Sequence, residues 1–182
     1  MNTEISTVKR LKITDLINSE YKLDPVTVFL EDYEPGKGKI TIECYGKSWS
    51  AYWGGMSGDD VATFFCRCDQ HYLAKNLSSI SSSIPDYSAL PALAKDNIIE
   101  RRRASDISKD DAREQFDKAD SLGDAERDHE LDQELMFRIF GEEAWYLIPN
   151  KPNPYYQYLC RIISAVQAGL KHAGIVNKRQ AA

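Results

Sequence analysis

The stretch from Val26 to Leu77 leaves this chain few ways to thread. In Val26-Thr-Val-Phe-Leu-Glu-Asp-Tyr33, the residues Val26, Val28 and Leu30 fall on one face. In Lys39-Ile-Thr-Ile-Glu-Cys-Tyr45, Ile40, Ile42 and Cys44 do the same, with Thr41, Glu43 and Tyr45 opposite. Period-two alternation suits a sheet with one face buried and one wet. Between the two runs, Glu34-Pro-Gly-Lys-Gly38 offers a fixed φ at Pro35 and positive φ at a glycine, which predicts a hairpin loop. A second turn at Gly46-Lys47 leads to a third run, in which Trp49, Ala51 and Trp53 share a face. The three runs predict an antiparallel meander.

Gly54-Gly-Met-Ser-Gly58 ends the sheet, and the period changes. Ser57 with Asp60 three residues on reads as a capping box. Val61, Phe64, Phe65, Cys68, Tyr72 and Leu73 then recur at helical spacing, predicting one long helix over 59–77. Burying each large side chain is worth roughly 1.5–3 kcal/mol, so this stripe on the apolar sheet face supplies much of the fold's stability. The expected class is α+β: a small antiparallel meander packed on one long helix, followed by a mainly helical C-terminal half.

The remaining segments are read in order. Val8 to Ile13 predicts an edge strand, with Leu11 and Ile13 inward and Lys9, Arg10 and Lys12 discouraging edge pairing. Leu16, Ile17 and Tyr21 suggest a short helix. Residues 78–92 read as a Ser/Pro connector between a sheet-and-helix region, 1–77, and a helical region, 93–182, which can also pack as one domain. Helices are expected over 89–103, from Ser108 to about Ala119 with Ala112 and Phe116 inward, and up to Phe140 with Phe137 among its apolar residues. Gly141 is the expected C-cap, Trp145 to Ile148 a short apolar strand or turn, and 149–154 a loop. Asn153 and Pro154 start a last helix, with Tyr155, Leu159, Ile162, Ile163, Val166 and Leu170 inward, Gly174 ending it, and Asn177 to Ala182 fraying.

The run Asp24-Pro-Val-Thr-Val-Phe-Leu-Glu-Asp-Tyr-Glu-Pro-Gly-Lys-Gly-Lys-Ile-Thr-Ile42 resembles a family of small uncharacterised proteins from enterobacterial tailed phages and prophages. Trp53-Gly-Gly-Met56, Phe64-Phe-Cys66 and Asp69-Gln-His-Tyr-Leu-Ala-Lys-Asn-Leu77 are similar to the same family, over roughly the first 120 residues and more weakly beyond. The resemblance implies a phage-borne accessory gene and carries over no catalytic residue.

Composition restricts the setting. No apolar run is long enough to span a membrane, and the N-terminus lacks the basic-then-apolar build of a signal peptide. A cytoplasmic location in a bacterial host is therefore expected, with the four cysteines as reduced thiols. Charge is uneven: residues 106–143 hold 14 acidic against 5 basic side chains, whereas 144–182 hold none against 5.

Several constellations invite chemistry. Cys68 and His71, at i and i+3, are metal candidates, but Cys66 lies about 200° around the helix from Cys68, and a structural zinc needs four ligands. Core cysteines beside a surface histidine explain the same residues, so no metal and no cofactor is assigned. His129-Glu-Leu-Asp-Gln133 is half a zincin helix with glutamine where the second ligand belongs, which removes the reason for Glu130 to act as a base. Glu31, Asp32 and Glu43 with Lys47 suggest a Mg²⁺-dependent nuclease only loosely, since Glu31 and Glu43 fall on the wet face. Arg101-Arg-Arg103 is the one dense basic cluster and reads as a solvated helix end; with a sequence pI near 5.3 it argues against direct nucleic-acid binding.

These readings leave a surface to do the work. The expectation is a non-enzymatic phage or prophage accessory protein that binds a host or competitor protein, in counter-defence or host takeover. Tyr45, Tyr52, Tyr155 and Tyr156 are the candidate aromatic contacts. One alternative is an acidic decoy whose carboxylates, Asp110, Asp117 and Asp128 among them, imitate nucleic-acid phosphates and engage a basic protein. Another is a small metal-dependent enzyme built on Cys66, Cys68 and His71 or on the strand carboxylates.

Overall fold

The computed structural model describes residues 2–3, 7–16, 22–124 and 131–177. In chain order the elements begin with β1 (Lys9–Ile13), β2 (Val26–Glu34), β3 (Lys37–Cys44) and β4 (Lys47–Trp53), then α1 (Val61–Arg67) and α2 (Gln70–Leu77). There follow β5 (Ser83–Pro85), α3 (Leu90–Arg103), α4 (Lys109–Lys118), α5 (Gln133–Phe140), β6 (Asn150–Pro152) and α6 (Pro154–His172). They group into two compact units, Met1–Ser81 with Pro154–Ala182, and Ser82–Asn153. The last helix therefore leaves the helical region expected over 93–182 and joins the sheet, because its stripe from Leu159 to Leu170 belongs to the sheet's apolar cluster.

The sheet unit is the predicted meander, antiparallel throughout in the order β1-β2-β3-β4. Val28 opposes Ile42, Leu30 opposes Ile40, and Ile40 opposes Ala51, so each apolar residue keeps to one face. Val26, Val28, Ile40 and Ile42 are wholly buried there. The first hairpin turns on Pro35 and Gly36 alone, with Gly36 at φ 79°. Gly38 is a strand residue, not part of the loop. A Cβ there would collide with Val61 Cγ2 and the Glu31 carbonyl, so its hydrogen lets α1 touch the sheet backbone.

The single helix expected over 59–77 is two. Cys68 is extended (ψ 148°), and Asp69 caps α2 by accepting from the Tyr72 amide at 2.9 Å. The orphan carbonyls at the end of α1 are met from α6, where Gln167 Nε2 donates to Phe65 and Cys68 at 3.0 and 2.9 Å. Asp60, not Ser57, is the N-cap of α1, accepting from the Thr63 amide at 2.7 Å. Asn177 is tied to this cap, its amide donating to Thr63 Oγ1 at 2.9 Å, so the frayed tail expected from that residue is not observed there. On α6 the inward tyrosine is Tyr156, 5% exposed, while Tyr155 points to solvent.

The second unit is built around Leu90, Ala94, Ile98, Ala112, Ala119, Leu122, Leu135, Met136 and Ile139. Ser108 caps α4 as predicted, accepting from the Asp111 amide at 3.0 Å. Its inward residues are Ala112 and Gln115, with Phe116 partly exposed; on α5, Met136 is buried and Phe137 is 59% exposed. Residues 83–85 and 150–152, expected as connector and loop, pair as a two-stranded ribbon, Ile84 opposite Lys151. Gly141–Leu147 is a 3₁₀ helix, and Trp145, Tyr146 and Leu147 are exposed. Arg101 does not end a solvated helix either: its guanidinium donates to the Arg138 and Ile139 carbonyls, both at 2.7 Å, and closes the C-terminus of α5.

Candidate functional site

The second hairpin turns on two residues, Tyr45 and Gly46, at φ 47° and 72°. Positive φ at both central positions defines the turn that matches strand twist, and Asn-Gly or Gly-Gly is its usual occupant. A tyrosine there holds a left-handed backbone at a cost of about 1–2 kcal/mol. Its ring recovers none of this by burial, for Tyr45 is 80% exposed.

Beside the turn lies a groove of about 390 Å³, lined by Tyr45, Lys47, Pro154, Tyr155, Tyr158 and Arg161. Pro154 opens α6, where a missing amide proton costs nothing. Tyr155, Tyr158 and Arg161 then follow at spacings of three and share one side of the helix. Lys47 places its ammonium 5.3 Å from the Tyr155 ring centroid, a cation–π contact. Tyr158 is fixed from below: its hydroxyl is 3.4 Å from Cys44 Sγ, and its ring is 6.5 Å from Trp49. Burial, followed by the Cys44 contact, pushes the Tyr158 phenol up to about 12. The groove thus presents π faces, a phenol and two cationic heads, the groups of recognition surfaces.

One family model, described as a phage family, matches residues 1–172. The chain belongs to that phage family. No curated protein and no solved structure matches it. The match takes in both the first 120 residues, where the resemblance is strongest, and most of the chain beyond them.

For this phage protein, the predicted site residues separate into groups. Tyr45 and Tyr155 meet at the groove. Tyr52 lies elsewhere on the wet sheet face, 6.1 Å from Tyr33, with both rings about half exposed. Tyr156 is no surface contact; its hydroxyl lies 2.9 Å from His71 Nδ1 and the two rings stack at 14°. Asp110 and Asp117 lie seven residues apart on one face of α4 in the other unit, both exposed. Asp128, with His129 and Glu130, lies outside the described residues.

The metal candidates do not converge. Cys66 Sγ donates to the Gln167 carbonyl at 3.5 Å, and His71 faces Tyr156. Among the described residues no three His, Cys, Asp or Glu side chains are placed to share an ion. Burial pushes the Cys66, Cys68 and Cys160 thiols up, the direction opposite to an activated nucleophile. Asp32 caps α1 from the sheet, accepting from the Val61 amide at 2.8 Å, and Lys9 approaches its other oxygen. Glu31 opposes Lys39, four residues along β3 from Glu43, which separates the two glutamates by about 13 Å.

Lys47, Tyr158 and Arg161 were not among the predicted contacts. The signal was present in the polar side of α6, where Tyr155, Tyr158 and Arg161 repeat opposite the apolar stripe. What sequence alone withheld is that this side meets the β3–β4 turn.

Proposed function

We propose that this phage protein works without catalysis, by binding a protein of the bacterial host or of a competitor through the Tyr45–Tyr155 groove. Tyr45 carries the reading. A tyrosine held in a turn that favours asparagine or glycine, with its ring in solvent, carries a conformational cost that burial does not offset, and binding is a physical reason for a tyrosine to stand there. Lys47, Tyr155 and Arg161 around it supply the aromatic and guanidinium groups that dominate binding energy at interfaces. An enterobacterial host, suggested by the sequence resemblance, is the natural source of the partner.

The test uses the asparagine the turn prefers. Tyr45→Asn is expected to stabilise the fold by about 1 kcal/mol, through relief at positive φ, and to abolish capture of the partner. Affinity capture with mass spectrometry from infected enterobacterial cells, run with wild type and with Tyr45→Asn and Tyr155→Ala, reads the second effect. A partner retained equally by all three proteins, or no partner above background, sinks the proposal.

A further inference from the structure

The second unit carries a different groove, of about 320 Å³, between α3 and α4. Ile98 and Ala112 form its buried floor, and Ile99 and Phe116 are exposed at 38% and 37%. Residues 98, 99, 102 and 103 on one helix face 112, 113, 116 and 117 on the other, the same i, i+1, i+4, i+5 pattern twice. Two helix ridges with an apolar floor between them suit the insertion of a third amphipathic segment.

The rim gives that segment its charge. Arg102, Arg103 and Arg113 line the groove, all exposed, and none has an ion-pair partner among the described residues. Two nearby carboxylates are engaged elsewhere: Glu114 binds Arg138 and Lys118, and Asp120, just past α4, binds Lys95. Only Asp117 shares the rim. Three guanidiniums to one carboxylate around apolar side chains, in a protein of net charge −5, are a local inversion of sign. Guanidinium forks match carboxylates in geometry as well as charge.

We propose that the α3–α4 groove docks an acidic amphipathic peptide segment of a second protein, with apolar side chains on Ile99 and Phe116 and carboxylates against Arg102, Arg103 and Arg113. This surface shares no residue with the tyrosine groove. An acidic segment is favoured over a nucleic-acid backbone because the apolar floor rewards side chains that a phosphate chain lacks.

The experiment is a selection of a displayed library of random 16-residue peptides against the full chain, with the Arg102→Glu, Arg103→Glu, Arg113→Glu triple variant as counter-target. The three residues are exposed, and far-UV circular dichroism verifies that the variant is folded. Expected is a consensus of two apolar residues one helical turn apart, flanked by Asp or Glu, whose affinity falls about ten-fold or more on the triple variant as three charge pairs become repulsive. Loss of the same peptides with Phe116→Ser tests the apolar contact. No enrichment, a consensus without acidic residues, or equal affinity for the triple variant overturns the proposal. Binding of a DNA duplex that the triple variant loses, without any peptide enrichment, overturns it in favour of phosphate recognition. Tyr45→Asn leaves the selected peptides bound, so failure here and failure of the tyrosine groove are told apart.

Discussion

The two units of this molecule are stabilised in different ways. In the sheet unit, twenty-odd apolar side chains form one cluster, and Phe65, Leu73, Leu159 and Val166 are wholly buried. Polar groups there serve the ends of elements: Asp60 and Asp69 cap helices, and Gln167 closes α1. The helical unit has a smaller core, four of whose ten buried residues are alanines, a buried Gln115, and ion pairs strung along its outside. A sheet face and two helix stripes can bury large residues side by side, whereas short helices joined by 3₁₀ turns bury small ones and leave charge to tune the surface.

The comparison is broken most readily at Phe65. It is fully buried, with Trp53 at 6.3 Å edge-on, and Phe65→Ala is expected to cost about 3–5 kcal/mol in urea unfolding. An alanine cut of similar depth in the second unit removes less: Leu122→Ala, at about 2–3 kcal/mol, is the matched control. Equal costs at the two sites would mean the cores are alike and the contrast drawn above is wrong.

Next in size is Gly38→Ala. Its Cβ meets the Glu31 carbonyl at 2.5 Å as well as Val61, and backbone cannot swing aside as a side-chain tip can, so a loss of about 2–3 kcal/mol is expected. Gly123→Ala in the helical unit meets Pro91 Cγ at 3.0 Å and is expected to cost about 1 kcal/mol. Unfolding midpoints at constant slope measure both.

The contrast also explains what could be read from sequence. Period-two alternation fixes which face of β2, β3 and β4 is buried, because a one-residue slip would turn Val28, Ile42 and Ala51 all outward. The same stripe logic placed Leu159 to Leu170 correctly on α6. It failed where one polar residue outweighed the period: Asp69 starts a new helix within an unbroken apolar stripe, since its carboxylate offers the backbone a cap. It failed again at Phe116, Phe137 and Gln115, where a thin apolar strip does not specify which side turns inward. Of the candidate site, the exposed tyrosines Tyr45 and Tyr155 were legible as residue types. Their meeting at one groove depends on α6 returning to the sheet after the whole helical unit, and no local pattern encodes that.

Gln115 sharpens the comparison in the stabilising direction. It is 4% exposed, and its Oε1 has no hydrogen-bond partner among the described residues. Replacing a buried, unpaired amide by an apolar chain of like length removes a desolvation cost, so Gln115→Met is expected to stabilise the protein by about 1 kcal/mol. A destabilised variant would show that the amide oxygen is satisfied in solution.

The smallest expected effect is electrostatic and belongs to Glu114 on the helical unit. Both its oxygens accept from the Arg138 guanidinium, at 3.1 and 3.2 Å, and Lys118 Nζ donates at 2.9 Å. Those hydrogen bonds, Arg138's first, hold the carboxyl at about 2 rather than its ordinary 4.5. A depressed folded-state value means that the interaction stabilises the protein above pH about 4.5 and is lost as pH falls from there towards 2. The pair is exposed and screened by salt, so the effect on overall stability is small, and it is sought at the residue. Carboxyl-detected NMR titration of Glu114 is expected to show a midpoint near 2, and Arg138→Gln to move it back towards 4.5, because the bidentate donor is the larger cause. A midpoint already near 4.5 in the wild type would mean that solvent competes the fork away. The outer charges of the helical unit would then be decoration, and its small apolar core would hold it alone.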